Sequence, residues 1–389
     1  MNKKLIPIFL TVTADVFGLT LVIPILPFYA KKFGASPFTV GLLFASFAIC
    51  QLISGPILGK LSDNYGRKKI LLISQIGTFF GFLFFGLANS LLMLFVARMI
   101  DGSTAGNLSI AQAYISDVTK PEERTKAFAF IGIAFGLGFL VGPALSGYLS
   151  QFGYHYPPFA AAFLSLTSIL CTIFLLPDVP ATSKSIESRY SQIKRFFGKV
   201  ESRNWLLSFF AFTLSFSTFI AGVALFLNRQ FGYDAKNVGY IYAFSGLVGV
   251  IIQGGFIGRL VKIFGDRKLS MIGFTLMGLS FVTLWYADNL TLLLINVVVG
   301  SIGSAFTRPS ITTLITKSVK RDEQGAVLGV SQSMASVAQI IGAVVSGWLI
   351  EHDLIIFYCL AAGGFALMGT FISTISSEPP HEIQIQEVN

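Results

Sequence analysis

Four charged residues lie inside long apolar stretches of this chain of 389 residues: Asp15, Arg98, Asp101 and Arg308. A charge at bilayer depth costs about 2.5–3.5 kcal/mol on insertion scales, so each of them needs a partner or a water-filled cavity. Partial desolvation favours the neutral form of a carboxylic acid, which allows an acid in such a place to bind and release a proton. These residue types therefore indicate proton binding and the recognition of charged groups on a small molecule.

Neutral polar residues extend this set along the same apolar stretches. At helical spacing, the fourth stretch places six residues on one face: Arg98, Asp101, Ala105, Ser109, Gln112 and Ser116. The tenth stretch carries a similar row: Ser301, Ser304, Arg308 and Thr312. We interpret both rows as the lining of a cavity for protons and substrate, to which Gln51, Gln253 and Gln339 add further polar groups.

The roles within this set remain open between alternatives. Arg98 and Asp101 are three residues apart and can pair directly. They form either a coupling site, where the acid takes up a proton and frees the arginine, or a mutually neutralised structural pair. Asp15 is a candidate substrate site or second proton site. Arg308 indicates an anionic or zwitterionic group on the substrate, a counter-charge to an acid, or a structural partner within the second half.

Composition indicates a membrane protein, because the chain is 53% hydrophobic and only 12% charged. Apolar stretches of about 20 residues have the length that spans a bilayer. Each should be a helix, since the strands of a membrane barrel would be about half as long. Twelve such stretches occur, at residues 5–30, 39–59, 70–90, 92–116, 127–150, 157–177, 204–227, 238–258, 269–287, 290–316, 325–350 and 354–374. The predicted fold is an all-α membrane protein with twelve transmembrane helices in two pseudo-symmetric six-helix bundles.

The distribution of Lys and Arg sets the predicted orientation. With both termini in the cytoplasm, 22 of the 28 basic residues fall in cytoplasmic segments and 4 in outer loops. Lys and Arg prefer the cytoplasmic side of membrane proteins, so this orientation is favoured. The net charge of +9 therefore arises from short membrane loops and does not indicate binding to nucleic acid. The first stretch has no small-residue cleavage signal, and we expect it to be retained as a span.

A short basic segment, Gly59–Lys69, is repeated in the second half of the chain. We expect a loop there, with Gly59 and Gly66 allowing a tight turn. The pattern returns at 258–268 with an offset of 199, and residues 142–149 return at 342–349 with an offset of 200. Two halves with the same internal order, both starting in the cytoplasm, imply a parallel repeat about an axis along the membrane normal.

The repeat divides the chain into segments. These are an N-terminal bundle over 1–177, a cytoplasmic linker over 178–203, a C-terminal bundle over 204–374 and a cytoplasmic tail over 375–389. Five apolar linker residues recur at spacings of three and four: Ile186, Tyr190, Ile193, Phe197 and Val200. This spacing predicts an amphipathic helix, which is either a plain connection between the halves or a helix lying on the cytoplasmic membrane surface.

Three motifs resemble the major facilitator superfamily, and the resemblance extends over nearly the whole chain. The loop signature of that family is matched by Gly59, Leu61, Asp63, Gly66, Arg67 and Lys68. Its fourth-span signature, an arginine followed by glycines, is matched by Arg98, Gly102 and Gly106. Its fifth-span signature, which is associated with exporters, is matched by Gly138, Gly142, Pro143 and Gly147. The closer likeness is to the twelve-span drug:proton antiporters, including bacterial tetracycline exporters.

The resemblance implies a transporter that alternates between inward-open and outward-open states by rocking one half against the other. It implies a latch for the outward-facing state, in which Asp63 faces the start of the eleventh span and Arg67 meets Asp117. The alternative is that these charges only orient the loop. The resemblance also implies that the fifth-span glycines are packing residues at the moving interface. The chain departs from the family pattern at Ser146, where the family usually has a glycine. It departs again in the second half, where Lys262 replaces the acid found at Asp63. The second departure predicts that only the first loop makes the acid-based contact.

The predicted function is proton-coupled export of small amphiphilic or drug-like compounds by alternating access. The alternative is a symporter or facilitator for a specific organic anion, zwitterion or amino acid, and a scaffold is disfavoured because it needs no charge in its core. The sequence contains no nucleophile–base set, metal-binding cluster or phosphate-binding loop, so we expect no enzyme activity, no cofactor and no metal. The expected partners are a small-molecule substrate, protons and the lipid of a bacterial plasma (inner) membrane, with no nucleic acid. We expect the chain to act as a monomer.

Overall fold

The computed structural model describes residues 5–119, 124–178, 189–320 and 323–377, and these ranges form fifteen α-helices and no β-strand. The helices are α1 (Leu5–Val22), α2 (Leu26–Lys32), α3 (Pro37–Tyr65), α4 (Arg67–Gly86), α5 (Leu91–Ser103), α6 (Asn107–Val118), α7 (Arg124–Ser150), α8 (Tyr156–Leu175), α9 (Arg189–Gly198), α10 (Val200–Phe231), α11 (Ala235–Ile251), α12 (Ile257–Thr283), α13 (Leu290–Lys317), α14 (Gln324–Glu351) and α15 (Ile355–Ile375). The prediction of an all-α fold is confirmed.

Nine helical stretches within these ranges are long and apolar enough to cross a bilayer, and α1 with α2, which bend by 45° at their junction, would make a tenth. A broken helix and a pair of predicted spans that count as one stretch explain why this number is lower than the twelve predicted spans. A break at 104–106 leaves α5 and α6 each shorter than a span. Residues 235–286 count as one stretch of 52 residues, although Gly265 inside it has a φ of 73°. The number twelve stays a prediction.

The break between α5 and α6 is stabilised by one side chain from α4. Ser74 Oγ donates to the carbonyl of Thr104 and accepts from the N–H of Gly106 at 3.1 Å. Backbone groups in a membrane must find partners inside the protein, and Ser74 supplies them here. Because the helix is interrupted, the periodicity that predicted one continuous polar face from Arg98 to Ser116 does not extend through the break.

The chain divides into two compact units. Unit 1 comprises residues up to 186 together with 227–246, and unit 2 comprises 187–226 together with the chain from 247 onward. The predicted segment boundaries at 177 and 204 stay predictions. Of the linker, the structure describes residue 178 and 189–203, so Ile186 lies outside the described residues, as do the side chain of Tyr190 and the tail beyond 377.

In unit 1, α1 packs against α7 and α8 through small residues. A Cβ atom added at Gly138 of α7 would lie 2.6 Å from Val16 Cγ1, and one added at Gly142 would lie 2.8 Å from Thr20 Cβ. Ser146 Oγ donates to the carbonyl of Leu21 at 2.5 Å, which places this departure from the family pattern at the same contact. Small residues let helix backbones approach closely in membranes, where no hydrophobic force drives helices together.

Gly147 continues this side of α7 but contacts a different helix of unit 1. A Cβ atom there would lie 2.9 Å from the carbonyl oxygen of Lys236 and 3.3 Å from the Cα of Gly239, both on α11. The four residues of the fifth-span motif therefore pack α7 on two neighbours. Pro143 lies inside the helix between these contacts.

In unit 2, the linker helix α9 covers the apolar core with its own apolar face. Phe196 is fully buried in a cluster with Trp205, Ile315 and Val327, and Ile193 and Phe197 pack against that cluster. Two basic residues of the linker also approach one acid at the start of α14. The distances to the Glu323 carboxylate are 3.6 Å from Arg195 and 3.7 Å from Lys199. Ile193 and Phe197 of the predicted apolar face thus pack on protein, whereas Val200, the first residue of α10, is 58% exposed.

We expect Gly138→Ala to destabilise unit 1, because the new methyl group would overlap Val16 Cγ1. Overpacking of this kind costs about 1–3 kcal/mol. Adding Val16→Ala should restore much of the loss, since the next atoms of Val16 are 3.5 Å away. The measurement is the thermal unfolding midpoint of the purified protein in detergent.

Gly132→Ala on the same helix is the matched control. No described atom lies within 4 Å of the Cβ position there, so the substitution should be neutral or slightly stabilising. Equal losses in Gly132→Ala and Gly138→Ala, or no recovery with Val16→Ala, would show that the contact between α1 and α7 is not as described.

Candidate functional site

Asp15 lies on α1 with its carboxylate turned into the helix bundle of unit 1. Its Oδ1 accepts a hydrogen bond from Ser168 Oγ of α8 at 3.3 Å. Its Oδ2 is buried without a hydrogen-bond partner among the described residues. The side chain of Asn107, at the start of α6, is close enough to interact with this carboxylate. An ionised carboxylate buried with so few donors is costly, so this acid favours uptake of a proton or a cation.

Arg98 and Asp101 form an ion pair on α5, with 3.0 Å between Arg98 Nη1 and Asp101 Oδ2. The side chains are only 6% and 8% exposed. The guanidinium of Arg98 also lies over the ring of Phe47, 4.2 Å from its centroid. A cation over an aromatic face is attracted by the ring quadrupole, so Phe47 gives the arginine a second partner beside Asp101.

Two glycines make room for this pair. A Cβ atom at Gly81 of α4 would lie 2.7 Å from Asp101 Cβ, and one at Gly102 would lie 2.5 Å from the carbonyl oxygen of Phe47. The second contact is with backbone, which cannot move aside. Gly102, which belongs to the fourth-span signature, therefore permits α3 to approach the ion pair closely.

The polar groups that surround these charges were not predicted from the sequence. Gln75 Nε2 donates to Ser168 Oγ at 2.9 Å, and Ser165 Oγ donates to the backbone carbonyl of Gln75 at 3.3 Å. Asn107 Nδ2 lies 3.5 Å from Thr78 Oγ1. A signal was present, because Ser74, Gln75 and Thr78 are polar residues within one turn of a strongly apolar stretch. A small polar face of that kind marks a helix side that does not face lipid.

The structure brings some of the predicted residues together and leaves others apart. Asp15, Arg98 and Asp101 form one electrostatic cluster in unit 1, since the charge of Asp101 acts on Asp15. Gln51 on α3 and Gln112 on α6 are partly buried in the same unit. The other three predicted residues belong to unit 2: Gln253, Arg308 and Gln339.

The three residues of unit 2 differ in their surroundings. Gln253 is exposed and lies in a π-helical turn, Ile252–Phe256, between α11 and α12. Short π-helical insertions occur frequently at functional sites. Arg308 is exposed on α13, and Gln339 is half-buried on α14.

The basic segment of unit 1 is helical as far as Tyr65, so the predicted loop reduces to one residue. Gly66 has a φ of 97°, a conformation that favours glycine, and it separates α3 from α4. Gly59 lies inside α3 with no described atom within 4 Å of its Cβ position. The expectation that Gly59 supplies a tight turn was therefore wrong, because α3 continues for six residues beyond it.

Arg67, the first residue of α4, connects two acids. Its Nη1 pairs with Asp63, and its Nε lies 2.9 Å from Asp117 Oδ2 at the end of α6. Its Nη1 also donates to Ser62 Oγ at 2.7 Å. The neighbouring Lys68 donates through Nζ to the carbonyl of Ile173 at 3.0 Å, near the C-terminus of α8. These contacts join the ends of four helices of unit 1.

The repeated segment of unit 2 makes an ion pair with the opposite polarity. Asp266, which the offset of 199 aligns with Arg67, pairs with Lys317 at 2.8 Å, and the offset of 200 aligns Lys317 with Asp117. The prediction that only the first copy makes an acid-based contact was wrong. The prediction compared Lys262 with Asp63, the acid at the aligned position of the first copy. The acid of the second copy, Asp266, instead follows Gly265, the glycine that bends the chain.

The contact of Lys68 also has a counterpart in unit 2. Arg267 donates through Nε to the carbonyl of Ser373 at 3.2 Å and through Nη2 to that of Thr374 at 2.6 Å. Both copies therefore place a cation on the last carbonyls of a helix, where the helix dipole favours positive charge.

Comparison with known proteins places the chain in one family. The model of the Major Facilitator Superfamily matches residues 8–259 and 254–387. Multidrug resistance protein 2 of Bacillus subtilis (strain 168) is 29% identical over 378 residues, which cover 93% of this chain and 92% of that protein. Tetracycline resistance protein, class B, of Escherichia coli is 27% identical over 371 residues, covering 89% of this chain and 91% of that protein.

A solved structure shares the fold. The human organic anion transporter MFSD10 (TETRAN) aligns with 95% of this chain and 99% of its own, with a TM-score of 0.77 and 20% sequence identity. At that identity the likeness concerns the fold alone.

We expect the polarity of the unit 2 ion pair to be exchangeable. Lys317→Asp places two acids side by side, with Asp266 only 6% exposed, and should lower stability. Because Lys317 is 34% exposed, we expect a loss of about 1–2 kcal/mol, between the values for surface and buried pairs. The double variant Asp266→Arg with Lys317→Asp reproduces the polarity of Arg67 and Asp117 and should recover most of the loss.

The measurement is a double-mutant cycle on the thermal unfolding midpoint in detergent. Lys268→Asp, at an exposed position beside the motif, is the control for a change of net charge. Strictly additive losses in the double variant would contradict an exchangeable pair.

Proposed function

This chain belongs to the Major Facilitator Superfamily, and we propose on that premise that it is a proton-coupled secondary transporter. It exports small amphiphilic or drug-like compounds by alternating access between two states. The family membership makes it an integral membrane transporter and not an enzyme. Proton coupling, direction and substrate class are the parts that we add.

The observation that carries the proposal is the excess of acid in the charged cluster of unit 1. Asp15 and Asp101 share that cluster with one arginine, Arg98. With both acids ionised, one negative charge remains unmatched within the cluster, at a cost of several kcal/mol in a bundle surrounded by lipid. A bound proton or the cationic group of a substrate removes this excess. Protons and substrate then compete for one charge, which is the simplest basis for exchange.

The names of the relatives support the substrate class. Two proteins that match about nine-tenths of this chain are described as multidrug and tetracycline resistance proteins. A membrane transporter that confers resistance lowers the amount of a compound in the cell, which favours export over uptake. We therefore assign export of drug-like compounds to this chain.

Within this scheme, Asp101 is the coupling site and Asp15 receives a second proton or the charged group of the substrate. Protonation of Asp101 removes the charge that pairs with Arg98. The arginine stays over Phe47, and the cluster then carries no excess negative charge to hold the cationic group of a substrate. Deprotonation restores the ion pair and the excess negative charge, so that the cluster can bind the cationic group again.

The contacts of Arg67 with Asp63 and Asp117 support the role of a conformational latch. An ion network at helix ends has two discrete arrangements, closed and broken, and can therefore bias a two-state equilibrium. Asp266 and Lys317 give unit 2 a counterpart. We further propose that both termini are cytoplasmic, that the membrane is the bacterial inner membrane and that the monomer is the active form.

A symporter or facilitator for an organic anion, zwitterion or amino acid is the second candidate. One observation favours it, since Arg308 is exposed in the middle of the long apolar helix α13. A cation there suits a substrate with a negative group. The direction of proton movement separates the two candidates.

The purified protein is reconstituted in liposomes with an acidic lumen. We expect protons to leave the lumen only when a transported compound is added outside. A pH-sensitive dye reports the flux, and cationic, zwitterionic and anionic compounds are compared. Asp15→Asn and Asp101→Asn should each lower the coupled flux by at least tenfold, because each removes a titratable acid of the cluster. Glu201→Gln, which removes an exposed acid outside the cluster, should retain it.

Transport that persists in both variants without any pH response would contradict proton coupling. Proton and substrate movement in the same direction would favour the symporter.

A further inference from the structure

The hydroxyl of Ser168 lies at the meeting point of three helices. Its Oγ is 2.9 Å from Gln75 Nε2 on α4, 3.3 Å from Asp15 Oδ1 on α1 and 3.5 Å from the carbonyl oxygen of Thr11, also on α1. Ser168 is 1% exposed and Gln75 is fully buried. Neither residue belongs to the motifs or to the polar rows of the sequence.

Among these groups, only the direction of the Ser168 hydroxyl proton can vary. The amide nitrogen of Gln75 can only donate, so Ser168 accepts from it. A serine hydroxyl carries one proton, which can point to Asp15 or to the carbonyl of Thr11. An ionised carboxylate is the stronger acceptor, so the proton points to Asp15 while that acid is charged.

Protonation of Asp15 on Oδ1 reverses this arrangement. The carboxylic acid then donates to Ser168 Oγ, whose second lone pair is available beside the bond from Gln75. The hydroxyl proton of Ser168 turns to the carbonyl of Thr11, which lies within reach. Asp15 Oδ1, Ser168 Oγ and Gln75 Nε2 keep a partner in both states, and no atom heavier than hydrogen needs to move.

We propose that Ser168, oriented by Gln75, is a positioning residue that stabilises the ionised form of Asp15 and exchanges its hydrogen bond when Asp15 takes up a proton. The inference rests on the proposed function, in which Asp15 is one of the two acids that bind protons or substrate. It adds Ser168 and Gln75 as the residues that determine how readily Asp15 takes up a proton.

The other groups around Asp15 do not supply this control. Asp101 acts on Asp15 as a like charge, and that charge is matched by Arg98. Asn107 also interacts with the carboxylate. Helix α7 meets α1 at Gly138 and Gly142, which carry no charge. The hydrogen bond from Ser168 can follow the protonation state of Asp15 because the same hydroxyl also lies within reach of the carbonyl of Thr11.

The site also lies beside the break between α5 and α6. Gln75 follows Ser74, whose hydroxyl bonds both sides of that break. Adjacent residues of α4 therefore bond Ser168 on one side and the break on the other.

The test follows the carboxyl band of Asp15 by infrared difference spectroscopy in reconstituted membranes, identified as the band that Asp15→Asn abolishes. It needs no substrate and no transport. In Ser168→Ala the midpoint pH at which Asp15 titrates should be raised by about one pH unit, because the ionised form loses a charge-assisted donor. Ser168→Thr, which keeps the hydroxyl, should titrate within a few tenths of a unit of the unsubstituted protein.

Ser165→Ala is the matched control on the same helix. Ser165 is 2% exposed and also bonds Gln75, but through the backbone carbonyl and away from Asp15. It should leave the midpoint unchanged. Gln75→Met is the second variant, and it should raise the midpoint by a smaller amount, because Ser168 remains but loses the bond that orients it.

An unchanged midpoint in both Ser168→Ala and Gln75→Met, or an equal shift in Ser165→Ala, would overturn the inference. A shift in Ser168→Ala and Gln75→Met alone would support it, even for a protein whose liposome flux is not coupled to protons. Failure of the proposed function and failure of this inference are therefore distinguishable.

Discussion

The cost of placing charge inside a bilayer is the constraint on which the structure of unit 1 depends. Arg98 and Asp101 answer it by pairing at 3.0 Å, and the guanidinium gains a further contact with the ring of Phe47. Gly81 and Gly102 are small because larger residues would occupy the space of this pair and of the backbone beside it. The glycines near the ion pair are therefore a consequence of buried charge as much as of helix packing.

The repeat preserves geometry more strictly than it preserves charge. In both units a glycine with positive φ interrupts the helical backbone, and the residue after it pairs with the end of another helix. Arg67 is the cation of one pair, whereas Asp266 is the acid of the other. A pair needs opposite charges at a fixed distance, and either order of charges satisfies that need. This is why comparison of single aligned positions failed to find the second pair.

Local spacing accounts for what the sequence could predict. Arg98 and Asp101 are three residues apart on a helix, so their contact follows from helix geometry alone. The all-helical class follows from the length of the apolar stretches. The break at 104–106 could not be predicted this way, because the partner that stabilises it, Ser74, comes from another helix. The same holds for Ser168, which lies 153 residues from Asp15 in the chain.

The central claim is that protons and substrate compete for the negative charge of Asp15 and Asp101. The most direct measurement is the number of protons released when a transported compound binds to the purified protein in weakly buffered detergent solution. The account predicts proton release on binding of a cationic compound, reduced in Asp15→Asn and in Asp101→Asn, and falling as pH rises because fewer protons are then bound. Binding of the same compound without proton release at any pH would contradict it.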